Sequence, residues 1–207
     1  MIKADALIIG GGPAGLSAAE ELGKKGFSVI LAERHPHLGG QLIKQTHMFF
    51  GSEKQYASSR GVDICEILKQ KIGGMPNVKI MLGTTVLGIY EDGVVTAQSW
   101  QNYIKFMPSV TVVATGASEK FLTFPNNDLP GIYGAGAVQT LMNVYGIRPA
   151  QSVVMLGAGN IGLIVSYQLM QAGVSVKAVL EAAPSIGGYL VHASKLARMG
   201  VPIYTGR

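Results

Sequence analysis

Apolar and polar positions along this chain follow two rhythms, and one sequence of rhythms occurs twice. ALIIG (6–10) is a short unbroken apolar run of strand length, and GGPAG after it predicts a tight turn. LSAAEELGKKG (16–26) spaces its apolar residues three and four apart, the period of an amphipathic helix, and FSVILAE (27–33) predicts a second strand. From 152 the same order returns: SVVMLG, AGNIG, LIVSYQLMQAG, VSVKAVLE. Between the copies, VDICEILKQKIGGM (62–75) predicts a helix and VKIML (78–82) a third parallel strand. VLGIY, VVTAQSW and QNYIKFM, joined by turns, predict an antiparallel meander, and TVVATGA (111–117) a further separate strand. PNNDLPG (125–131) is turn-rich, and GAGAVQTLMNVYG (134–146) predicts a bridging helix.

The pattern predicts an α/β fold of two Rossmann-like domains with parallel sheets, the first carrying the meander. The expected divisions are 1–118 for the first domain, 119–150 for linker and bridging helix, and 151–207 for the second. Composition agrees: 48% hydrophobic and 14% charged residues, with mean hydropathy +0.31, fit sheets buried on both faces. The net charge of +5 comes from scattered Lys and Arg, which argues against nucleic acid. The uncharged run at 152–170 is nearly span length, yet GAGNIG at its centre makes it strand, turn and helix. One cysteine excludes an internal disulfide framework and fits a reducing cytoplasm, and the amino terminus lacks a signal peptide's apolar core.

The repeat can be followed residue by residue. Gly10, Gly12, Gly15 and Gly26 correspond to Gly157, Gly159, Gly162 and Gly173 at a constant offset of 147. Glu33, Gly39 and Gly40 then correspond to Glu181, Gly187 and Gly188 at 148, so the second copy holds one extra residue before its acid. Each copy is a G-x-G-x-x-G between strand and helix, with an acid 23 or 24 residues after the first glycine. The first glycine makes the turn and the second lets backbone approach a pyrophosphate. The third packs helix on strand, the helix N-terminus offers N–H groups, and the acid binds ribose hydroxyls. One such match reads as a ligand-free turn; two in the right context predict two dinucleotide sites.

GGGPAG, the acid of LAER, LGGQL, TVVATGA and GAGNIG together resemble the FAD-dependent pyridine-nucleotide oxidoreductases, flavoproteins with two dinucleotide-binding domains. The resemblance implies Gly10, Gly12, Pro13, Ala14 and Gly15 at the FAD pyrophosphate, with Glu33 and Arg34 at its ribose end. It further implies Gly39, Gly40 and Gln41 along the ribityl side, Val86 near adenine, and Ala114, Thr115 and Gly116 over the cofactor. Gly157, Gly159, Asn160, Ile161 and Gly162 would face the nicotinamide dinucleotide. Glu181, followed by Ala182 and Ala183 in place of arginines, favours NADH over NADPH. The disulfide pattern of the family, laid on GGQLIKQTH, falls on Leu42 and His47, so dithiol chemistry is not expected. GGQL with KQTHMFFGS, and PGIYGAGAVQTLM, resemble a branch without the disulfide. That branch includes flavin subunits of sarcosine and opine oxidases, proline dehydrogenase and hydrogen cyanide synthase, which work in hetero-oligomers. A protein partner exchanging electrons, and an oligomer, are therefore expected.

Family members return to the first domain after the second, whereas this chain stops at VPIYTGR; it is expected to be a fragment or to be completed by a partner. His47 is a candidate at the flavin edge or a polar interface residue, and His35-x-His37 without a carboxylate or cysteine cluster predicts no metal site. Two functions stay open: hydride transfer between NADH and FAD and on to an acceptor, or nucleotide binding without catalysis in a larger complex.

Overall fold

The computed structural model describes residues 1–207, which form two compact units, Met1–Ala117 and Ser118–Arg207. In the first, β1 (Ile2–Ile9) runs into the turn before α1 (Pro13–Lys24), and β2 (Val29–Ala32) returns parallel to β1. Pro13 at the first helical position loses no bond there, because that N–H has no partner inside a helix. A 3-10 turn (Gly40–Lys44) and α2 (Gly61–Gly73) follow, then β3 (Val78–Met81), β4 (Thr84–Ile89), β5 (Val95–Ser99) and β6 (Asn102–Val113). The sheet order is β3-β2-β1-β6-β5-β4, with β4 and β5 antiparallel.

Both faces of β1 are covered, which is why its apolar run does not alternate. Ala6 and Ile8 pack under α1 and α2 with Leu16, Leu68 and Ile72. Leu7 and Ile9 face Val95, Ala97 and Phe106 of the meander. The predicted meander strand 101–107 and the predicted strand 111–117 are one element: β6 runs through Pro108. Its first half pairs with β5 as far as Phe106, and β1 pairs with it from Phe106 to Val113. The strand can run through Pro108 because past Phe106 only β1 flanks β6, so a missing N–H can face an open edge.

Glu20 ties α1 to α2. Its carboxylate is 7% exposed and meets Lys24 Nζ at 2.6 Å and Lys71 Nζ at 3.3 Å, while Lys71 also donates to the Tyr56 hydroxyl at 2.7 Å. The bond from Lys24 holds the carboxyl below the usual range; burial opposes this and Lys71 assists. With the folded value depressed, the unfolded chain binds the proton first. The stabilisation is therefore present above the ordinary carboxylate range and lost as pH falls through the depressed value. Acid unfolding of Glu20→Gln, followed by circular dichroism, is expected to have a shallower dependence in that window. Its stability at pH 7 is expected to fall by about 1–3 kcal/mol, the worth of charged hydrogen bonds.

The second unit contains α3 (Ala135–Asn143), β7 (Ser152–Leu156), α4 (Asn160–Gln171), β8 (Ser175–Glu181), α5 (Leu190–Arg198) and β9 (Ile203–Thr205). Its parallel sheet has the order β7-β8-β9. α3 packs on α4, with Val138 in the same core as Leu163 and Leu169, so residues read as linker and bridging helix belong to this unit's packing. The extra residue of the second copy is visible as a bulge. Val153 pairs with Val176 but Val154 pairs with Ala178, leaving Lys177 unpaired and exposed. The first copy has no such step: Ala6 pairs with Val29 and Leu7 with Ile30. A bulge absorbs one residue and lets the acid keep its place.

Candidate dinucleotide sites

In the first unit the turn after β1 is shaped by approaches that exclude a Cβ. Gly10 has φ +108, and an alanine methyl there would overlap the Ala114 carbonyl. A methyl on Gly15 would overlap the Gly10 carbonyl, which is the close helix–strand packing the third fingerprint glycine permits. A Cβ on Gly12 would meet only Gly40 Cα, at 3.8 Å, so its outer side is open to a ligand. The N-cap of α1 is Gly12, which brings no capping side chain, and the first turn has no acid, so the positive helix end is left for an anion.

Glu33, 7% exposed at the end of β2, closes the turn. It accepts the Gly11 N–H at 2.6 Å on one oxygen and the His35 N–H at 2.8 Å on the other. A carboxylate has about four acceptor positions, so lone pairs remain for ribose hydroxyls. The glycine pair at 39–40 docks on the same turn. Gly39 donates to the Gly11 carbonyl at 2.8 Å, and a Cβ on Gly40 would stand 2.8 Å from Gly12 Cα. Gly39, at φ +121, also lies against the Cys65 thiol, so the pair is required by the chain's own packing.

The second unit repeats this construction. Glu181 accepts the Ala158 N–H at 2.7 Å and the Ala183 N–H at 3.0 Å, the counterparts of Gly11 and His35. Those N–H groups, Ala183 first, hold its carboxyl below the ordinary range, so it stays ionised at neutral pH. A methyl on Gly162 would overlap the Gly157 carbonyl, while nothing lies within 4 Å of a Cβ on Gly157 or Gly159. Gly188 donates to the Ala158 carbonyl at 2.9 Å, and Asn160 Oδ1 accepts the Tyr189 N–H at 2.7 Å. The copies differ in depth. Gly11 has no room for a methyl beneath Leu38, whereas Ala158 fits, and Glu181 is only half-buried.

The structure thus gathers Gly10, Gly12, Gly15, Glu33, Gly39, Gly40, Ala114 and Thr115 around one turn, with Pro13 and Ala14 exposed at its rim. Gly157, Gly159, Asn160, Gly162 and Glu181 gather around the other, with Ile161 exposed. Gly116, at φ +73, has no neighbour within 4 Å of a Cβ, and Gln41 is exposed. Arg34 donates to His35 Nε2 at 3.2 Å, and the His35 and His37 rings stack at 5.7 Å. Val86, two residues past Thr84 whose N–H donates to the Glu33 carbonyl at 2.8 Å, is partly buried against the core of the meander. His47 stacks on Phe49 at 5.1 Å, and Leu42 is buried in the α1–α2 core. Sequence reading missed Gly11, Leu38 and Ala158, and named Gly188 only as the counterpart of Gly40; the triplet of glycines at 10–12 was the available signal. A recess of about 420 Å³ lined by Lys3, Asp5, Ser28 and Met107 sits at the opposite, amino-terminal end of the strands, whereas ligands of open α/β sheets bind at the carboxyl ends.

Comparison with known proteins identifies the family and the fold. The family model described as pyridine nucleotide-disulphide oxidoreductase matches residues 4–206. The chain is 29% identical over 211 residues to the sarcosine oxidase alpha chain of Rhizobium meliloti (strain 1021), covering 95% of this chain and 21% of that protein. It is 31% identical to an opine oxidase subunit from Agrobacterium tumefaciens (strain Ach5), covering 91% and 39%. Among solved structures, L-proline dehydrogenase from P. horikoshii superposes with a TM-score of 0.72 at 28% identity, covering 84% of this chain and 35% of that one. The chain therefore spans about a fifth to two fifths of the length of these relatives. No helix is long and apolar enough to cross a membrane.

Proposed function

From the premise that this chain belongs to the pyridine nucleotide-disulphide oxidoreductase family, we propose that it is the nucleotide-binding part of a flavoprotein oxidoreductase. In this reading the first site holds FAD and the second NADH, and reducing equivalents pass on to a partner subunit or a small acceptor without a redox disulfide. The observation that carries the proposal is the doubled arrangement of an acid held by turn N–H groups beside an uncapped helix N-terminus. When bound, FAD supplies the hydride-accepting and electron-releasing chemistry, which belongs to the cofactor.

The chain's own residues bind, orient and select. The residues of the first site fit FAD: Gly12 and the α1 N-terminus offer an open, positive rim to a pyrophosphate, and Glu33 accepts ribose hydroxyls. The buried Glu33 suits a nucleotide that stays, whereas the half-buried Glu181 suits one that exchanges. The ionised Glu181, with Ala182 and Ala183 after it, accepts a 2′-hydroxyl and repels a 2′-phosphate, which supports NADH. Leu42 and His47 at the positions of the disulfide pair, with Cys65 as the one cysteine, support electron exit by another route. The single cysteine also supports a reducing cytoplasmic setting. A protein partner is supported by the relatives, which are named as subunits of oxidases.

The test is a visible spectrum with added FAD, followed by anaerobic NADH. Flavin bands that bleach with NADH and only slowly with NADPH are the expected result. Flavin and NADH that both bind without bleaching would instead favour a nucleotide-binding subunit. Glu181→Ser is expected to narrow the preference for NADH about tenfold or more, since a repelled 2′-phosphate costs at least one charge-assisted contact.

A further inference from the structure

Two turns of the first unit meet beside Glu33. The bend between β3 and β4 is fixed to the end of β2, since Gly83 donates to the His35 carbonyl at 3.1 Å and Thr84 to the Glu33 carbonyl at 2.8 Å. The hairpin between β5 and β6 reaches the same place, because Thr84 pairs with Ser99 and Ser99 with Asn102. The Thr84 hydroxyl adds a bond to Ser99 Oγ at 3.1 Å. The hairpin loop is two residues, Trp100 and Gln101, and Trp100 is the one tryptophan of the chain.

Trp100 departs from the ordinary chemistry of such a loop. The favoured two-residue hairpin loops need a positive φ at their first position and place glycine, asparagine or aspartate there. Trp100 holds that position at φ +54, where a bulky side chain is strained. Burial does not offset the strain, because the residue is 77% exposed. The ring is nevertheless placed. A methyl on Gly83 would stand 3.3 Å from Cε2 and Nε1 and 3.4 Å from Cζ2, so Gly83 lies against the face of the indole and not its edge. The Trp100 carbonyl accepts from Gln98 Nε2 at 3.1 Å, which holds the loop. Strained residues kept in one arrangement by their surroundings cluster at ligand clamps.

The position of the ring indicates which part of a ligand it meets. The Glu33 carboxylate, which takes the His35 N–H, has lone pairs left for ribose hydroxyls. A base is bonded to that ribose, so it comes to lie next to the acid. There the indole rests on Gly83, itself bonded to His35, and most of the ring stays open. Every nucleobase has a π face that stacks on an aromatic side chain. The three parallel strands of the second unit carry no counterpart of this hairpin.

Resting on the nucleotide site proposed above, we propose that Trp100 is a further binding residue of the first site and stacks on the adenine whose ribose Glu33 holds. It adds affinity for the adenosine half of FAD and takes no part in the redox chemistry.

The experiment titrates the flavin-free chain with ADP and follows tryptophan emission, which comes from Trp100 alone. Adenine does not absorb where indole emits, so quenching by ADP reports contact, whereas a flavin would quench from a distance. Saturable quenching is expected, absent with ribose 5-phosphate, kept in Glu181→Ala and lost in Glu33→Ala. The affinity for FAD is then compared among wild type, Trp100→Gly and Trp100→Phe. Trp100→Gly should bind FAD roughly fivefold to 100-fold more weakly, the range for one base stacked on an aromatic ring. Its thermal midpoint should not fall, because glycine takes a positive φ without strain. Trp100→Phe, which keeps a ring, should recover most of the loss. Emission unchanged by ADP would overturn the proposal, as would unchanged FAD affinity in Trp100→Gly or a loss that only follows a lowered midpoint. Quenching by ADP that FAD cannot displace would overturn the flavin reading and leave Trp100 at an adenine.

Discussion

Replacing Gly15 with alanine is expected to empty the first site of flavin, and the matching change at Gly162 to stop bleaching by NADH while flavin stays bound. At each position the new methyl would lie inside the carbonyl of the first fingerprint glycine, Gly10 or Gly157. A backbone carbonyl cannot swing aside as a long side chain does, so helix and strand must separate. Overpacking of this kind costs about 1–3 kcal/mol, sometimes more, and the roughly 1 kcal/mol gained by alanine over glycine in a helix offsets part of it. In the proposed function the turn also carries the N–H groups that would face the ligand, so a shift of a few tenths of an ångström is expected to weaken binding beyond the loss of stability. Flavin content after gel filtration and bleaching by NADH read the two sites separately. A Gly15→Ala protein that keeps its flavin would remove the first turn as the FAD site. A Gly162→Ala protein that bleaches normally would remove the second as the nicotinamide site.

The second large effect is expected at Glu33. Its carboxylate is buried, and Glu33→Ala strands the N–H groups of Gly11 and His35. A buried donor left without an acceptor costs about 1–3 kcal/mol; Gly11 is buried whereas His35 is exposed and its N–H can turn to water, so the first unit should lose roughly 1–3 kcal/mol. Flavin affinity should fall further, by about tenfold to a hundredfold, as the acceptor for ribose hydroxyls disappears. Glu33→Gln should rescue little stability, because its amide group must present N–H to one of two backbone N–H groups. Glu181→Ala, at a half-buried site where water can replace the lost oxygens, is expected to cost less than about 1 kcal/mol in stability. It should still weaken NADH. Denaturation monitored with and without each nucleotide distinguishes these outcomes, and equal losses at both acids would contradict the difference in depth.

Much of this is legible in the sequence, for identifiable reasons. Strand-length apolar runs closed by Gly10 and Gly157, with helical periodicity after them, are local signals. The offset between copies needs only counting. What failed was whatever depended on a neighbour. The strands expected at 101–107 and 111–117 are one, because Pro108 between them lies where only β1 flanks β6, and which strand lies alongside is not written locally. α5 and β9 were not foreseen, since the short segment after the second glycine pair becomes helix and strand through packing against α4 and β8. The slip from 147 to 148 was countable, but only pairing places the extra residue at Lys177.

The glycine pair at 39–40 shows the same division. Its presence after an acid in both copies is a property of the sequence, and so is the choice of residues without Cβ. That Gly39 is pressed by Cys65, and Gly40 by Gly12, comes from α2 and the first turn, segments distant in the chain. The strand–turn–helix–strand order of each copy and the repeat with its acids are written in local spacing, and sequence alone determined them. Which carboxylate is deep and which is half-open, and that Trp100 rests on Gly83 beside the first acid, were decided by the tertiary structure. Burial and hydrogen-bond partnership are properties of residues brought together from afar.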